Sequence, residues 1–212
     1  LSLYILSISL LNLSKEILLI DNRVSEIDVD LNLLGAKVIS KGKNLAQFES
    51  KRLAILKAKG EYVWFVDSDD DILPIDIDQA YLSQYDLICF DFCDCNIDGV
   101  LGEPKRKNRI FGDFGGKYTE RLVSKTSVQT LKNIGGVFTW NKWFKREILV
   151  RIASLMPPNK EIIIAEDELW VTSFYENSEK VLFTEDMLYI HHVDSGLTSN
   201  CEFQLENFYK LI

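Results

Sequence analysis

Four aspartates fall within five positions at Asp67, Asp69, Asp70 and Asp71, directly behind the run Tyr62-Val63-Trp64-Phe65-Val66. A continuous apolar run of this length, rich in aromatic and β-branched residues, predicts a buried strand. The acids then leave the strand at its C-terminal end, where open α/β sheets bind their ligands. Carboxylates packed this closely repel and raise one another's pKa. A cation relieves that cost. Hard divalent ions such as Mg²⁺ or Mn²⁺ prefer oxygen ligands and bridge to substrate phosphates. Asp is also common in turns and helix caps, and a single pair would need no further explanation. Four behind one strand favour a metal or phosphate site.

Two other acidic motifs fit poorly. A calcium-binding EF-hand loop needs Gly at its sixth position and Glu at its twelfth, where this chain has Ile72 and Asp78. A haloacid-dehalogenase phosphatase motif needs Thr or Val at its fifth position, which is Asp71.

A second acidic group, Glu166-Asp167-Glu168, follows the apolar run Ile162-Ile163-Ile164-Ala165. At a helix start the macrodipole favours ionised carboxylates, so these acids either stabilise the helix or supply a base. His191 and His192 are candidate metal or phosphate ligands from the C-terminal side. Trp140 and Trp143 are either core aromatics or platforms for a sugar face. Cys89, Cys93 and Cys95 share one face of a predicted strand without zinc-ribbon spacing, and with Cys201 they read as reduced thiols.

The elements that must position these groups alternate between helix and strand. With 212 residues the chain suffices for one large α/β domain. Its net charge of −8 argues against a nucleic-acid surface. Leu3, Leu6, Leu10 and Leu13 predict an amphipathic helix over Leu1 to Leu13, too short to span a bilayer. Strands are predicted at Glu16 to Asn22, Val38 to Ser40 and Asp86 to Cys93. A helix from about Leu45 to Ala58, capped by Asn44, shows the face Leu45, Phe48, Leu53 and Leu56, with Lys51 and Arg52 riding on it, and Gly60 stops it.

Further helices are predicted at Ile77 to Leu82, Thr119 to Asn133, Glu147 to Leu155 and Leu169 to Glu176, with a last one ending at Ile212. Val181 to Tyr189 reads as a strand pair or an extended segment. Leu101 to Tyr118, with Lys105, Arg106, Lys107 and Arg109, reads as a basic loop. The order implies a mixed, mainly parallel sheet flanked by helices.

Several of these segments, in order, resemble family 2 glycosyltransferases. Glu16 to Asn22 is similar to the family's second strand. Ala58-Lys59-Gly60-Glu61-Tyr62 followed by Phe65-Val66-Asp67-Ser68-Asp69-Asp70 is close to its run into the D-x-D motif. Trp140-Asn141-Lys142, Glu166-Asp167 and Tyr189 to Ser199 resemble later family segments.

The resemblance implies a single GT-A domain over 1–212, with a nucleotide-sugar half at about 1–100 and an acceptor half at about 101–212. The family's opening strand ends in Pro-Val-Tyr-Asn, and Leu1 falls after it, so a sheet lacking that strand is expected. The usual Asp-Asp-Gly-Ser is Asp21-Asn22-Arg23-Val24 here, and Ser50-Lys51-Arg52 stands for Ala-Arg-Asn.

What the resemblance implies chemically is an inverting transfer dependent on Mn²⁺ or Mg²⁺. Asp69, Asp67 and His192 are the implied metal residues. Asp21, Asn22, Lys51, Asp67 and Ser68 are the implied donor contacts. Asp167 is the implied base, assisted by Glu166. The implied partners are a nucleotide-sugar, UDP-linked by first expectation, and a glycan or lipid-linked glycan acceptor, with no nucleic acid. The setting would be cytoplasmic, with room for peripheral association at the inner face of a membrane. The rival readings are a non-catalytic nucleotide-sugar-binding relative and a metal-dependent nucleotidyltransferase.

Overall fold

The strand that carries the first acidic cluster forms as expected. Tyr62–Asp67 is extended, and Tyr62 to Val66 are all buried. Successive side chains point to opposite faces of a strand, so Tyr62, Trp64 and Val66 enter one core layer while Val63 and Phe65 enter the other. Both faces are therefore covered, which is why the run lacks polar alternation.

The structure is a computed structural model that describes residues 2–8, 15–21, 36–40, 45–67, 69–74, 82–104, 118–158, 162 and 165–193. Its strands are β1 (Ser2–Ile8), β2 (Lys15–Asp21), β3 (Ala36–Ser40), β4 (Tyr62–Asp67), β5 (Asp71–Ile72), β6 (Leu87–Cys95), β7 (Tyr118–Leu122), β8 (Lys142–Lys145) and β9 (Lys180–His192). The helices are α1 (Ala46–Lys57), α2 (Val128–Gly135), α3 (Arg146–Leu155) and α4 (Glu166–Glu176). Among the described residues nine strands form one sheet in the order β3-β2-β1-β4-β8-β6-β9-β5, with β7 also on β9.

The sheet is mixed. β2, β3, β4, β6 and β9 share one direction, as the pairings β2–β3 and β6–β9 and the shared antiparallel neighbours β1 and β8 require. Because β1 and β8 are inserted against that direction, most neighbouring strands are antiparallel, and parallel pairing is scarcer than the sequence suggested. All four helices contribute to one core layer, with Phe48, Leu131, Leu149 and Trp170 meeting Val63, Phe65, Leu87 and Phe144. The opposite layer joins Tyr62 and Trp64 to Leu82, Tyr85, Phe90, Trp140, Trp143 and Tyr189.

Several expectations are corrected. Residues 2–8 form a strand rather than a helix. β1 lies between β2 and β4 and pairs antiparallel with both. The leucine spacing fits a helix, but the paired edges of β2 and β4 offer backbone partners along the whole segment, and tertiary pairing overrides local pattern. Thr119 to Asn133 divides into β7, a 3₁₀ turn at Val123–Lys125 and α2. Ser127 caps α2, its side chain accepting the Thr130 N–H at 3.1 Å.

Residues 142–145 are a strand, and Val181 to Tyr189 lies within a single strand of 13 residues. α1 ends where Ala58 turns extended, at φ −60° and ψ 146°, rather than on a left-handed Gly60. The predicted cap Asn44, most of the Ile77 to Leu82 helix, the basic residues 105–109, Cys201 and the last helix lie outside the described residues. Cys89, Cys93 and Cys95 are buried free thiols.

Candidate active site

α1 delivers Lys51 to the site with its buried face. That face is Phe48, Glu49, Ser50, Lys51, Ala54 and Ile55, rotated from the predicted stripe, and Leu56 is exposed. Lys51 is 3 % exposed. Its ammonium meets both acids at the start of α4, Glu166 at 3.5 Å and Asp167 in closer contact. It also donates to Thr139 Oγ1 at 3.1 Å and lies 5.8 Å from the centre of the Phe65 ring.

α4 begins at Glu166, three residues earlier than predicted, which places the acid pair in its first turn. The residue before it, Ala165, holds φ 60° and ψ 18°. A left-handed alanine is strained and persists where surrounding contacts fix it. The loop between α2 and β8 then grips Asp167 from the other side. Thr139 donates its N–H to Oδ2 at 3.2 Å and its hydroxyl to Oδ1 at 2.8 Å. That loop is itself anchored by Lys142, fully buried, whose ammonium donates to the carbonyls of Gly135 at 2.8 Å and Phe138 at 2.7 Å and to Asn141 Oδ1 at 2.7 Å.

The electrostatics follow from this packing. Burial works against the Lys51 ammonium, but Asp167, Glu166 and Asp67 outweigh it and hold its pKa above the usual lysine value. Burial pushes the Asp67 carboxyl up to about 7; Lys51 offsets part of this, while Asp167, Asp70 and Asp69 add to it. Burial also raises Glu166, against the pull of Lys51. Asp167 goes the other way. Burial alone would raise it, but Lys51 and the two bonds from Thr139 hold it below the usual carboxylate value. One buried lysine thus serves three carboxylates drawn from a strand end and a helix start.

The aspartate cluster divides by role. Asp70 is tied to β9, accepting the Tyr189 hydroxyl at Oδ2 (2.7 Å) and the His192 N–H at Oδ1 (2.8 Å). Asp71 lies in β5, pairs with β9, and its Oδ2 lies in hydrogen-bond contact with His192 Nε2 at 2.8 Å. Burial raises both the Asp70 carboxyl and the Tyr189 phenol. Asp67, at the end of β4, acts electrostatically on Lys51.

The residues fit a divalent ion in part. Burial chiefly raises Asp67, with smaller contributions from Asp167, Asp70 and Asp69, and a cation would relieve part of that cost. Yet among the described residues no three His, Cys, Asp or Glu side chains are grouped to hold a metal unaided. Two carboxylates with substrate phosphates and water completing the shell is the usual arrangement for Mg²⁺.

The other expected site residues are distributed as follows. Asp21 closes β2, adjacent in register to Ser2 of β1. Asn22 and Ser68 lie outside the described residues. His192 is on β9 with its ring on Asp71, and His191 Nδ1 lies 3.1 Å from Asp94 Oδ1. Trp143 is fully buried and Trp140 is 5 % exposed. Trp140 stacks on Phe138, Tyr189 and His191. Both tryptophans are core aromatics. Thr139, Tyr189 and Lys142 carry structural roles in the site that no local sequence signal assigns, because each depends on which loop or strand the fold brings alongside.

A mixed α/β sheet with acids leaving an inner strand, beside a helix start that carries an acid pair, is the arrangement expected of a GT-A domain. The chain belongs to glycosyl transferase family 2, whose sequence profile matches residues 8–153, and its fold is GT-A. A search of curated protein sequences gives no match. Among solved structures it is similar to S. aureus TarS 1-349 in complex with UDP, at 19 % identity and a TM-score of 0.60, covering 92 % of this chain and 54 % of that one. A second structure of S. aureus TarS aligns at 20 % identity and the same TM-score of 0.60, covering 92 % of this chain and 32 % of that one. The chain thus spans about half, or less, of the length of these structures. Among the described residues no helix is long and apolar enough to cross a membrane.

Proposed function

We propose that this glycosyltransferase moves a sugar from a nucleotide-sugar, UDP-linked by preference, to a hydroxyl of a glycan or lipid-linked acceptor, with inversion and with Mn²⁺ or Mg²⁺ as cofactor. Synthesis of a bacterial surface polysaccharide or lipooligosaccharide is the setting that suits such an acceptor. The observation that supports the reading is the convergence of Asp67, from the end of β4, and Asp167, from the start of α4, on the single buried ammonium of Lys51. It joins a donor-side acid to a candidate base in one electrostatic unit.

Asp67 and Asp69 would hold the cation, which when bound supplies charge neutralisation for the departing diphosphate. Asp167 takes the proton of the acceptor hydroxyl while that oxygen bonds to the anomeric carbon and the bond to the diphosphate breaks. A base must be ionised, and Lys51 and Thr139 keep Asp167 so. Thr139 also fixes both of its oxygens in orientation. Glu166, buried and raised, orients a sugar or acceptor hydroxyl.

The engagement of Asp167 by Lys51 and Thr139 also suits a second reading, a nucleotide-sugar-binding protein without turnover, in which the ion pair is purely structural. Release of UDP from UDP-sugars in the presence of Mn²⁺ separates the two. Our reading expects release by the wild type and a loss of about 10²-fold or more in Asp167→Asn, the scale of positioned acid–base catalysis, with donor affinity kept. Donor binding without release, in wild type and variant alike, favours the binding protein.

A further inference from the structure

Tyr189 is fully buried in β9, yet its hydroxyl reaches the candidate donor site. It accepts the backbone N–H of Asp67 at 3.1 Å and donates to Asp70 Oδ2 at 2.7 Å. Asp70 is held at its other oxygen by the His192 N–H, and its own N–H donates to the Asp67 carbonyl at 3.3 Å. The Asp67 and Asp70 ends of this turn are thus joined to each other and fastened to β9, Asp67 through the Tyr189 phenol and Asp70 through both that phenol and the His192 N–H. The Tyr189 ring stacks on Trp140, with centroids 4.9 Å apart and planes at 15°. Trp140 follows Thr139, the residue that grips Asp167.

We propose that Tyr189 is a positioning residue for the donor-binding turn, setting the orientation of Asp67 and Asp69 toward the nucleotide diphosphate and its cation. The inference rests on the reading of that turn as the donor site. The physical case is one of rigidity. A carboxylate pair that binds a cation together with a diphosphate needs its spacing fixed before the ligand arrives, because ordering it on binding would cost affinity. The chain between β4 and β5 is short and polar, and among the described residues the Tyr189 phenol bonds to both of its ends. The phenol serves as acceptor for the first residue of the turn and as donor to the last. The stack on Trp140 fixes the ring that carries the hydroxyl, and through the 139–142 loop it gives the donor turn and the Asp167 carboxylate a common support.

Tyr189→Phe removes the hydroxyl and keeps the ring. Asp70→Asn is the second variant, which retains shape but weakens the charge-assisted bond from the other side, and it stands in if the first fails to fold. Two measurements are made on each. In the ligand-free protein, amide hydrogen exchange at Asp67 should accelerate in Tyr189→Phe, since the partner of that N–H is gone. By calorimetry, the affinity for UDP with Mn²⁺ should weaken by about tenfold while the cooperative melt is retained, and with a UDP-sugar the donor KM should rise more than kcat falls.

A folded Tyr189→Phe with wild-type Mn²⁺·UDP affinity overturns the proposal, as does a lowered melting temperature with unchanged affinity, the mark of a merely structural role. An unaltered Asp67 amide overturns the anchoring itself. Failure of the wild type to bind UDP with or without Mn²⁺ instead overturns the donor-site reading, an outcome separate from the amide comparison.

Discussion

The Lys51 ammonium on α1 closes onto the Asp167 carboxylate in the first turn of α4, 116 residues further along the chain. Lys51 is buried, while Asp167, 23 % exposed at its side chain, is held at both oxygens by Thr139. Breaking a buried pair by removing one member leaves an uncompensated charge and costs about 3–5 kcal/mol. Lys51→Met should therefore destabilise the protein by about that amount, since Asp167, Glu166 and Asp67 would all lose their cation. Urea denaturation at pH 7 checks this. An unchanged midpoint would mean the three acids do not depend on Lys51.

The raised Asp67 gives a pH dependence of definite sign. Its folded pKa, about 7, exceeds that of an unfolded aspartate, so the folded state binds more protons between about pH 4 and 7. Stability of the ligand-free protein should fall as pH rises through that window. Glu166, also raised, acts in the same direction, while the lowered Asp167 contributes stability that is lost only as pH falls below the usual carboxylate range. Asp67→Asn should flatten the decline. Melting temperatures of both proteins from pH 4 to 8 measure it, and parallel profiles would contradict the assignment.

Gly135 closes α2 against the core. A Cβ there would meet the Tyr175 hydroxyl at 2.7 Å, Phe183 Cε1 at 3.0 Å and Cys89 Sγ at 3.2 Å. Two of these neighbours belong to buried aromatic rings with little room to shift. Gly135→Ala should destabilise by about 1–3 kcal/mol, the range for an overpacked core. Because the Gly135 carbonyl also accepts from Lys142, some displacement of the Thr139 loop should accompany it. A denaturation midpoint equal to wild type would show that the core yields more readily than its packing implies.

Thr139→Val keeps the side-chain shape and the backbone N–H but removes the hydroxyl that bonds Asp167 Oδ1 and accepts from Lys51. If Asp167 is the base, kcat should fall by about tenfold, the scale of one charged hydrogen bond, with donor KM little changed. Steady-state kinetics with a UDP-sugar distinguish this from a change in donor affinity, which the account does not expect.

The buried strands were the most legible part of the chain. Tyr62 to Val66 is apolar throughout and Leu87 to Phe92 is so except at Asp91, and no helix or turn competes for them. Segment 2–8 was misread because its leucines satisfy a helical stripe, while what decides its conformation is pairing with β2 and β4, which lie elsewhere in the sequence. The same limit applied to the partners of Lys51. The residue was expected among the donor contacts, but its pairing with Glu166 and Asp167 depends on the packing of α1 beside the start of α4. The acids of the site were visible as clusters. The fastening of Asp70 and Asp71 to β9 was not, because β9 lies more than a hundred residues downstream of them.

The most direct test of the account is calorimetric titration of UDP into the wild-type protein and into Asp69→Ala, each with and without Mn²⁺. Asp69 follows the end of β4 and is half-buried, so the melt of each protein is recorded beside its titration to separate loss of binding from loss of fold. The account predicts Mn²⁺-dependent binding of UDP by the wild type and its loss in Asp69→Ala. Equal binding by the two proteins, or no binding by the wild type under either condition, would contradict it.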